Sequence, residues 1–172
     1  MKIEMIKNPS DDDWIFCKQC TLNTIGKTSA NLPTDEWKRK LLKSEHSPIR
    51  TLWFGFKMEI PYYISVHFVR HKFGVEHFVQ SQRNDRQDRY DRTKAPQDSI
   101  VSHIMYLNAQ ELINMSHARL CNQASKETRE VMREIVRLVD EANPEFKEVL
   151  VSKCEYRNGK CDEFFPCKQR SN

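Results

Sequence analysis

Glycine is scarce in this chain, which has four glycines among 172 residues. Folds that bind phosphates through a loop need closely spaced glycines, because a residue without a Cβ lets backbone amides approach the ligand. Neither GxGxxG nor GxxxxGK[ST] occurs in the sequence. We therefore expect any bound phosphate to meet side chains. The chain is also too short for a TIM barrel or a two-half Rossmann enzyme.

Length and composition predict one folded domain over residues 1–172, ending in a cysteine-rich tail at 153–172. A chain of this size buries roughly 70% of its unfolded surface, and aromatic residues, 10% of the total, supply material for a core. The apolar runs are too short to span a membrane, and the first residues lack the apolar stretch of a signal peptide. We expect a cytoplasmic protein with no membrane partner.

The pattern of apolar residues predicts an α+β fold, with an antiparallel or mixed sheet packed against helices. The clearest strand is Thr51–Ile60, and residues 1–7 alternate weakly as an opening strand. Asp98 or Ser99 is expected to cap one long helix through Cys121, whose apolar face is broad. Further helices are predicted at Asp11–Leu22, Pro33–Ser44, Tyr62–Lys72, Ser125–Ala142 and residues 145–152.

Residues 83–92 repeat an Arg-x-Asp triplet and end on a further arginine. One interpretation is a solvated surface on which the aspartates neutralise the guanidinium groups. The other is an arginine cluster that binds phosphates, since the guanidinium fork matches phosphate oxygens. Nucleic acid is a less attractive partner, because the aspartates would repel its backbone.

The six cysteines include a pair with the spacing of a zinc half-site, Cys17-x2-Cys20. Cys161 and Cys167 would supply the other half of a tetrahedral site. Such a structural zinc ion would pin the C-terminal tail to the first helix. The alternative is that the thiols are ordinary buried or incidental cytosolic cysteines. The sequence leaves both interpretations open.

Four short motifs follow one another along most of the chain. They are Glu45-His46-Ser47-Pro48, Arg70-His71-Lys72, Gln80-Ser81-Gln82-Arg83, and residues 107–114 followed by Arg119. In this order they resemble the motifs of the flavin-dependent thymidylate synthases, whose signature reads Arg-His-Arg, seven residues and Ser. Here eight residues separate Lys72 from Ser81.

The resemblance implies an enzyme that methylates dUMP at C5 to give dTMP. In that family a homotetramer binds FAD between subunits, NADPH reduces the flavin, and methylenetetrahydrofolate supplies the methylene group. The resemblance therefore implies a minimal version of that fold, a nucleotide substrate and a homo-oligomer, expected to be a tetramer.

Matched position by position, the resemblance also implies the site residues. The cofactor-binding residues are Ser47, Arg70, His71, Lys72, Asn108 and Asn114. The substrate-binding residues are Gln80, Ser81, Arg83 and Arg119. Arg119, at the uracil edge, and Ser81 are the candidate catalytic residues. We interpret Ser81 as a hydroxyl that positions the substrate, because no base partner for it is identifiable in the sequence.

The chain departs from the family pattern at several positions. The differences are Arg50 in place of glutamate, Lys72 in place of arginine, Val79 in place of glutamate and Gln110 in place of arginine. A helical insert that carries an arginine for the dUMP phosphate is almost absent. We hypothesise that Arg86, Arg89 or Arg92 contacts this phosphate instead.

Two alternatives to this function stay open. One is a related flavin enzyme that acts on another uracil nucleotide. The other is a noncatalytic relative that binds nucleotides or nucleic acid through its arginines. Bound flavin distinguishes the enzyme from the noncatalytic protein, which would be colourless and would bind nucleic acid in a salt-sensitive way.

Overall fold

The structure, a computed structural model, describes residues 1–86 and 91–167. Arg89, one of the predicted substrate-binding residues, lies outside the described residues. The strands are β1 (Lys2–Lys7), β2 (Trp53–Pro61), β3 (Val75–Val79) and β4 (Ile100–Asn108). The helices are α1 (Asp11–Asn23), α2 (Asp35–Lys43), α3 (Tyr62–Phe68), α4 (Ala109–Arg119), α5 (Lys126–Ala142) and α6 (Lys153–Tyr156). Short 3-10 turns occupy Ser47–Thr51 and Pro144–Phe146.

The strands form one antiparallel sheet in the order β1-β2-β4-β3. β4 is an interior strand, in which Met105 pairs with Phe56 of β2 on one side and with His77 of β3 on the other. The predicted α+β class is confirmed, and the sheet is antiparallel.

The hydrophobic core lies on one face of the sheet. Phe54 and Phe56 of β2 are fully buried and belong to the same apolar cluster as Ile135 of α5. The neighbouring side chains of β2, Lys57 and Glu59, are exposed. Because this strand alternates cleanly between core and solvent, its sequence pattern predicts it correctly.

The predicted single helix through Cys121 is wrong, because the segment is a strand followed by a helix. Residues Ile100–Asn108 form β4, and Asn108 is the N-cap of α4, whose side chain accepts a hydrogen bond from the Glu111 backbone. Both faces of β4 carry apolar side chains. Their combined surface resembles that of a buried helix, and periodicity alone does not separate the two.

The other predicted elements differ mainly at their ends. The opening strand and α1, α2 and α5 are confirmed, while α3 ends at Phe68 instead of Lys72. The sequence does not predict β3, because this strand has five residues and borders a charged segment. A 3-10 turn at Pro144–Phe146 takes the place of the helix predicted at 145–152. None of the helices within the described residues is long and apolar enough to cross a membrane.

Candidate functional site

The candidate site is built where β4 ends and α4 begins. The Asn108 side chain accepts a hydrogen bond from the Glu111 backbone N–H (3.0 Å), and the Asn108 N–H donates to the carbonyl of Gly74 (2.8 Å). Gly74 has a φ of +69°, and a Cβ at this position would lie 2.5 Å from Asn108 Nδ2. The loop before β3 is therefore fixed closely against the first turn of α4.

Four polar side chains form a hydrogen-bonded group at this junction: His71, Glu111, Asn114 and Arg119, which we name the His71 cluster. Glu111 is only 7% exposed, and its carboxylate accepts from His71 Nδ1 (2.7 Å) and Asn114 Nδ2 (3.3 Å). Arg119 Nε donates to His71 Nε2 (3.1 Å). Because a guanidinium only donates, His71 Nε2 must accept. The ring is then neutral, with its proton on Nδ1.

Arg119 carries a charge that no carboxylate among the described residues neutralises. Its guanidinium is half-buried, and burial, followed by the charge of Arg70, lowers the pKa of Arg119. The lowered pKa shows that the surroundings disfavour the charged form. An anion bound beside Arg119 would offset this penalty, and a guanidinium binds phosphates or polarised carbonyls through paired N–H donors.

Two histidines, His103 and His77, form a chain of hydrogen bonds that ends on the backbone of His71. His77 Nε2 donates to the His71 carbonyl (3.0 Å), and His103 Nε2 donates to His77 Nδ1 (2.9 Å). Burial lowers the pKa of both rings, that of His103 from 6.5 to about 4. Both are therefore neutral around neutral pH and hold the loop that carries His71.

A cavity of about 300 Å³ opens beside the His71 cluster. Its walls are Arg50, Phe73, Gly74, Asn108, Gln110, Glu111 and Asn114. The three carboxamides offer both donors and acceptors, and the Phe73 ring, 86% exposed, offers a flat apolar surface. Arg50 is exposed at the same cavity and has no ion-pair partner within the described part of the chain. This combination suits a planar heterocycle that carries an anionic group.

Glu45 fixes the Gln110 wall of the cavity. Its carboxylate accepts hydrogen bonds from Gln110 Nε2 (2.5 Å) and from the Tyr156 hydroxyl (2.9 Å). Burial, together with this bond to Glu45, raises the pKa of Tyr156 to about 12, so the hydroxyl keeps its proton and continues to donate. The predicted motif at 45–48 thereby connects α6 with α4.

The structure brings some of the predicted cofactor residues together. Those that meet at the junction are His71, Asn108 and Asn114, and the predicted catalytic residue Arg119 joins them. Arg70 lies close enough for its charge to affect the pKa of Arg119. Ser47 begins the 3-10 turn that also carries Arg50, while Lys72 is exposed in the loop after His71.

The other predicted substrate residues lie beyond the opposite end of β3. The Gln80 N–H donates to the Ser102 carbonyl, and the Gln80 side chain accepts from the Ser102 N–H. Gln80 is therefore roughly 17 Å from Val75, at a rise of about 3.3 Å per residue. Arg83 forms a bidentate ion pair with Asp85, with N–O distances of 2.9 and 2.6 Å.

The described residues 80–86 and 91–92, which we name the arginine segment, contain these substrate residues. Ser81 and Arg86 are exposed in it, and the Arg92 backbone N–H donates to Asn84 Oδ1 (2.9 Å). Gln80, at the start of this segment, and the His71 cluster are separated by the length of β3. One chain therefore does not bring all the predicted site residues together.

All six cysteines are free thiols. Cys17 is buried, its Sγ donates to the Pro48 carbonyl (3.3 Å), and burial raises its pKa to about 11. Cys20 lines one cavity, whereas Cys161 and Cys167 line another. The four thiols of the predicted zinc site thus share no cavity. Within residues 1–86 and 91–167, no group of three or more His, Cys, Asp or Glu side chains is arranged to hold a metal.

Sequence reasoning missed Glu111, Glu45 and Gly74. Glu111 is the third residue of α4, where an acidic residue is expected for capping alone, and its burial among apolar neighbours is a tertiary effect. Glu45 stands inside a recognised motif, but its partners Gln110 and Tyr156 are distant in sequence. A lone glycine in a charged stretch does indicate a left-handed turn, and this signal would have found Gly74.

Comparison with protein-family models gives no match for this chain, and comparison with curated proteins gives no significant match. Its function must therefore be inferred from its own residues and their geometry.

Proposed function

We propose that the chain is a flavin-dependent enzyme that methylates dUMP at C5 to form dTMP. The observation that carries this proposal is the His71 cluster: Arg119 is half-buried and has no carboxylate partner among the described residues, and two other members, Glu111 and Asn114, line a cavity of amides and an aromatic ring. Donors and cations that are already in place stabilise an anionic ring without reorganising. The motifs at 45–48, 70–72 and 80–83, which resemble those of flavin-dependent thymidylate synthases, suggest the particular substrate.

The residues around the cavity fit a flavin ring. The amides of Asn108, Gln110 and Asn114 offer donors and acceptors to the polar edge of the ring. Phe73 offers a face for stacking, and Arg50 a cation for the diphosphate of FAD. When bound, FAD would supply the hydride-transfer chemistry between NADPH and the substrate. The cavity, at about 300 Å³, has room for a ring system but not for the whole of FAD.

A second copy of the chain would complete the site. Ser81 and Arg83 lie a strand length from the His71 cluster of their own chain, so a neighbouring chain would have to bring its own Ser81 and Arg83 to this cluster. We therefore propose a homo-oligomer, a tetramer by the resemblance, in which the arginine segment of one chain faces the His71 cluster of its neighbour. In this assembly the nucleotide phosphate would meet the arginine segment and the uracil would meet Arg119.

The reaction balances as dUMP, methylenetetrahydrofolate, NADPH and a proton giving dTMP, tetrahydrofolate and NADP⁺. The methylene carbon bonds to C5, the C5 hydrogen leaves as a proton, and hydride completes the methyl group. Negative charge develops on the pyrimidine during this sequence. Arg119 would stabilise that charge at a uracil carbonyl, and His71, oriented by Glu111, would hold the guanidinium in position.

The assay that tests the proposal is dTMP formation from dUMP with FAD, NADPH and methylenetetrahydrofolate. We propose a cytoplasmic enzyme, so purification under reducing conditions suits its six free thiols. Arg119→Ala should lower kcat/KM by about 100-fold or more, because loss of a preorganised charged donor costs about that much. Arg137→Ala is the control, since Arg137 is an exposed arginine already paired with Glu134. An equal loss in both variants would contradict the assigned role of Arg119.

A second candidate is the same chemistry on another uracil nucleotide. Arg83 is paired with Asp85 and is equally unavailable to the 5′-phosphate of dUMP and of UMP, so the choice between these two nucleotides falls to contacts with the sugar. Side-by-side assays of dUMP and UMP, with the same flavin and folate, decide between the two substrates. Product from UMP alone would overturn the dUMP assignment while leaving the flavin chemistry intact.

A further inference from the structure

Four of the six cysteines line one cavity, and we name this group the cysteine pocket. Its members are Cys121, Cys154, Cys161 and Cys167. The cavity has a volume of about 390 Å³. Cys121 is buried just after the end of α4, Cys154 belongs to α6, and the other two thiols come from the tail. Thiols from three separate parts of the sequence thus converge on one space.

The tail that carries three of these thiols buries no side chain. From residue 153 to residue 167 every residue is at least partly exposed, and Phe164 and Phe165 are 90% and 76% exposed. Such a segment buries too little apolar surface to offset the conformational entropy of a fixed path. A cross-link to the rest of the fold would supply the missing stabilisation.

The chain turns back after Cys154. Asn158 and Gly159 both adopt left-handed backbone conformations, with φ of +54° and +88°, and the Gly159 N–H donates to the Cys154 carbonyl (2.7 Å). Near the other end of the tail, Asn122 Nδ2 lies 3.9 Å from Cys167 Sγ. The turn and this contact direct the tail thiols toward the rest of the cysteine pocket.

We propose that the cysteine pocket is a structural zinc site whose four thiolates bind one Zn²⁺ ion. Tetrahedral sulfur ligation is a standard structural zinc geometry, with Zn–S distances of about 2.3 Å. No three ligand side chains in the described residues are arranged for a metal, so binding draws the tail inward over the cavity. Each thiol releases a proton as it ligates, and the resulting site is anionic.

The wall of the cysteine pocket suits such a site. Arg133 of α5 lines the same cavity and supplies a positive charge next to the thiolates. Glu155 and Glu163 also line it. Where four thiolates are present, we expect Zn²⁺ to bind these soft sulfur ligands and not the carboxylates. This set differs from the predicted one, because Cys121 and Cys154 replace Cys17 and Cys20. The site takes no part in chemistry, so it does not depend on the proposed enzymatic function.

The test is the zinc content of the full-length protein purified with a reductant and dialysed after exposure to Zn²⁺. We expect about one zinc per chain, held by four thiolates. Cys154→Ser and Cys161→Ser, both at half-buried positions, should lower the content to below about 0.1 per chain. Cys20→Ser is the matched control, since Cys20 is also half-buried but lies outside the cysteine pocket.

Replacement of zinc by Co²⁺ gives a second measurement that does not depend on recovery of the variants. The wild-type protein should show the intense sulfur-to-cobalt charge-transfer bands of thiolate ligation, and Cys20→Ser should keep them. Reduced, folded wild-type protein that retains no zinc would overturn the proposal. Loss of zinc in Cys20→Ser would also overturn it, because the ion would then involve the Cys17–Cys20 pair, and so would a disulfide between two thiols of the cysteine pocket.

Discussion

The His71 cluster and the arginine segment each contain an arginine, but only the arginine of the segment is paired with a carboxylate. In the cluster, Arg119 is half-buried and donates to a neutral ring. In the segment, Arg83 is exposed, and the carboxylate of Asp85, two residues away, accepts hydrogen bonds from its Nε and Nη2. One charge is left for a ligand and the other is already neutralised. Pairing, more than the number of arginines, decides which of them is available to bind an anion.

The two regions also differ in what supports them. The His71 cluster stands on the capped start of α4 and on a loop fixed by Gly74 and Asn108. The arginine segment lies in the connection between β3 and β4, where the Arg92 N–H donates to Asn84 Oδ1 and Asp91 pairs with Lys94. Sites built on helices and strands hold their geometry better than sites on loops. We therefore expect substitutions in the His71 cluster to be costly and those in the arginine segment to be mild.

The largest effect is expected from Gly74→Ala, because the added Cβ prevents the close packing of Gly74 against Asn108 at the His71 cluster. The left-handed backbone costs about 1–2 kcal/mol for alanine, and the new Cβ displaces the Asn108 cap, worth about 1 kcal/mol. The free energy of unfolding should therefore fall by about 2–3 kcal/mol. Gly26→Ala is the control, because Gly26 has a φ of +68° but nothing within 4 Å of a Cβ. Urea unfolding that gives equal losses for both would show that Asn108 does not constrain this loop.

The next effect is expected from Glu111→Gln, which keeps the shape of the side chain but removes its charge and one acceptor. Its new amide donor would oppose the Asn114 amide, and the His71 bond would lose its charged partner. We expect a loss of about 2 kcal/mol in unfolding free energy. Glu130→Gln, an exposed site on α5, should change it by less than about 0.5 kcal/mol. Similar losses in both would mean that Glu111 does not organise the cluster.

The third effect is a pH dependence that arises from His103. Its pKa is lowered from 6.5 to about 4 in the folded protein, so between these values the unfolded chain binds a proton that the folded one does not. Stability therefore falls as the pH falls through this window, by about 1.8 kcal/mol between about pH 7 and about pH 5. His103→Gln should remove this part of the slope, whereas His46→Gln, at an exposed site, should keep it. If the unfolding free energy of His103→Gln varied with pH as it does in the wild type, this would contradict a neutral, buried His103 ring.

The smallest effect is expected from Asp85→Asn in the arginine segment. It breaks the bidentate pair with Arg83, but both side chains are exposed, so the unfolding free energy should change by less than about 0.5 kcal/mol. Thermal unfolding beside Glu111→Gln measures the contrast directly. A loss as large as that of Glu111→Gln would erase the difference between the two regions.

Local signals explain which elements the sequence predicts. The alternation along β2 and the cap and amphipathic pattern of α5 depend only on residues that are close in sequence. Both elements are therefore predicted correctly. β4 is mistaken for a helix because it is an interior strand with apolar residues on both faces. Whether such an apolar run forms a strand or a helix depends on the strands that can pair with it in the sheet.

The candidate site is predictable in part for the same reason. Arg119 and His71 are found through motifs, but Glu111, which connects His71 to Asn114, is identified only by its burial in the fold. For the arginine run, the sequence leaves phosphate binding and self-neutralisation both open. The ion pair between Arg83 and Asp85 favours self-neutralisation for that arginine. Contacts between residues that lie far apart in the chain cannot be predicted from local sequence patterns.

The most direct test of the central claim is a titration of FAD with the purified protein, followed by the visible absorption of the flavin. We expect a saturable change in the flavin band, with an affinity that falls about tenfold in Asn114→Ala, the loss of about one hydrogen bond. Arg83→Ala should bind FAD as the wild type does, because that guanidinium is already paired. A flavin spectrum that stays unchanged at every concentration of folded protein would contradict the account.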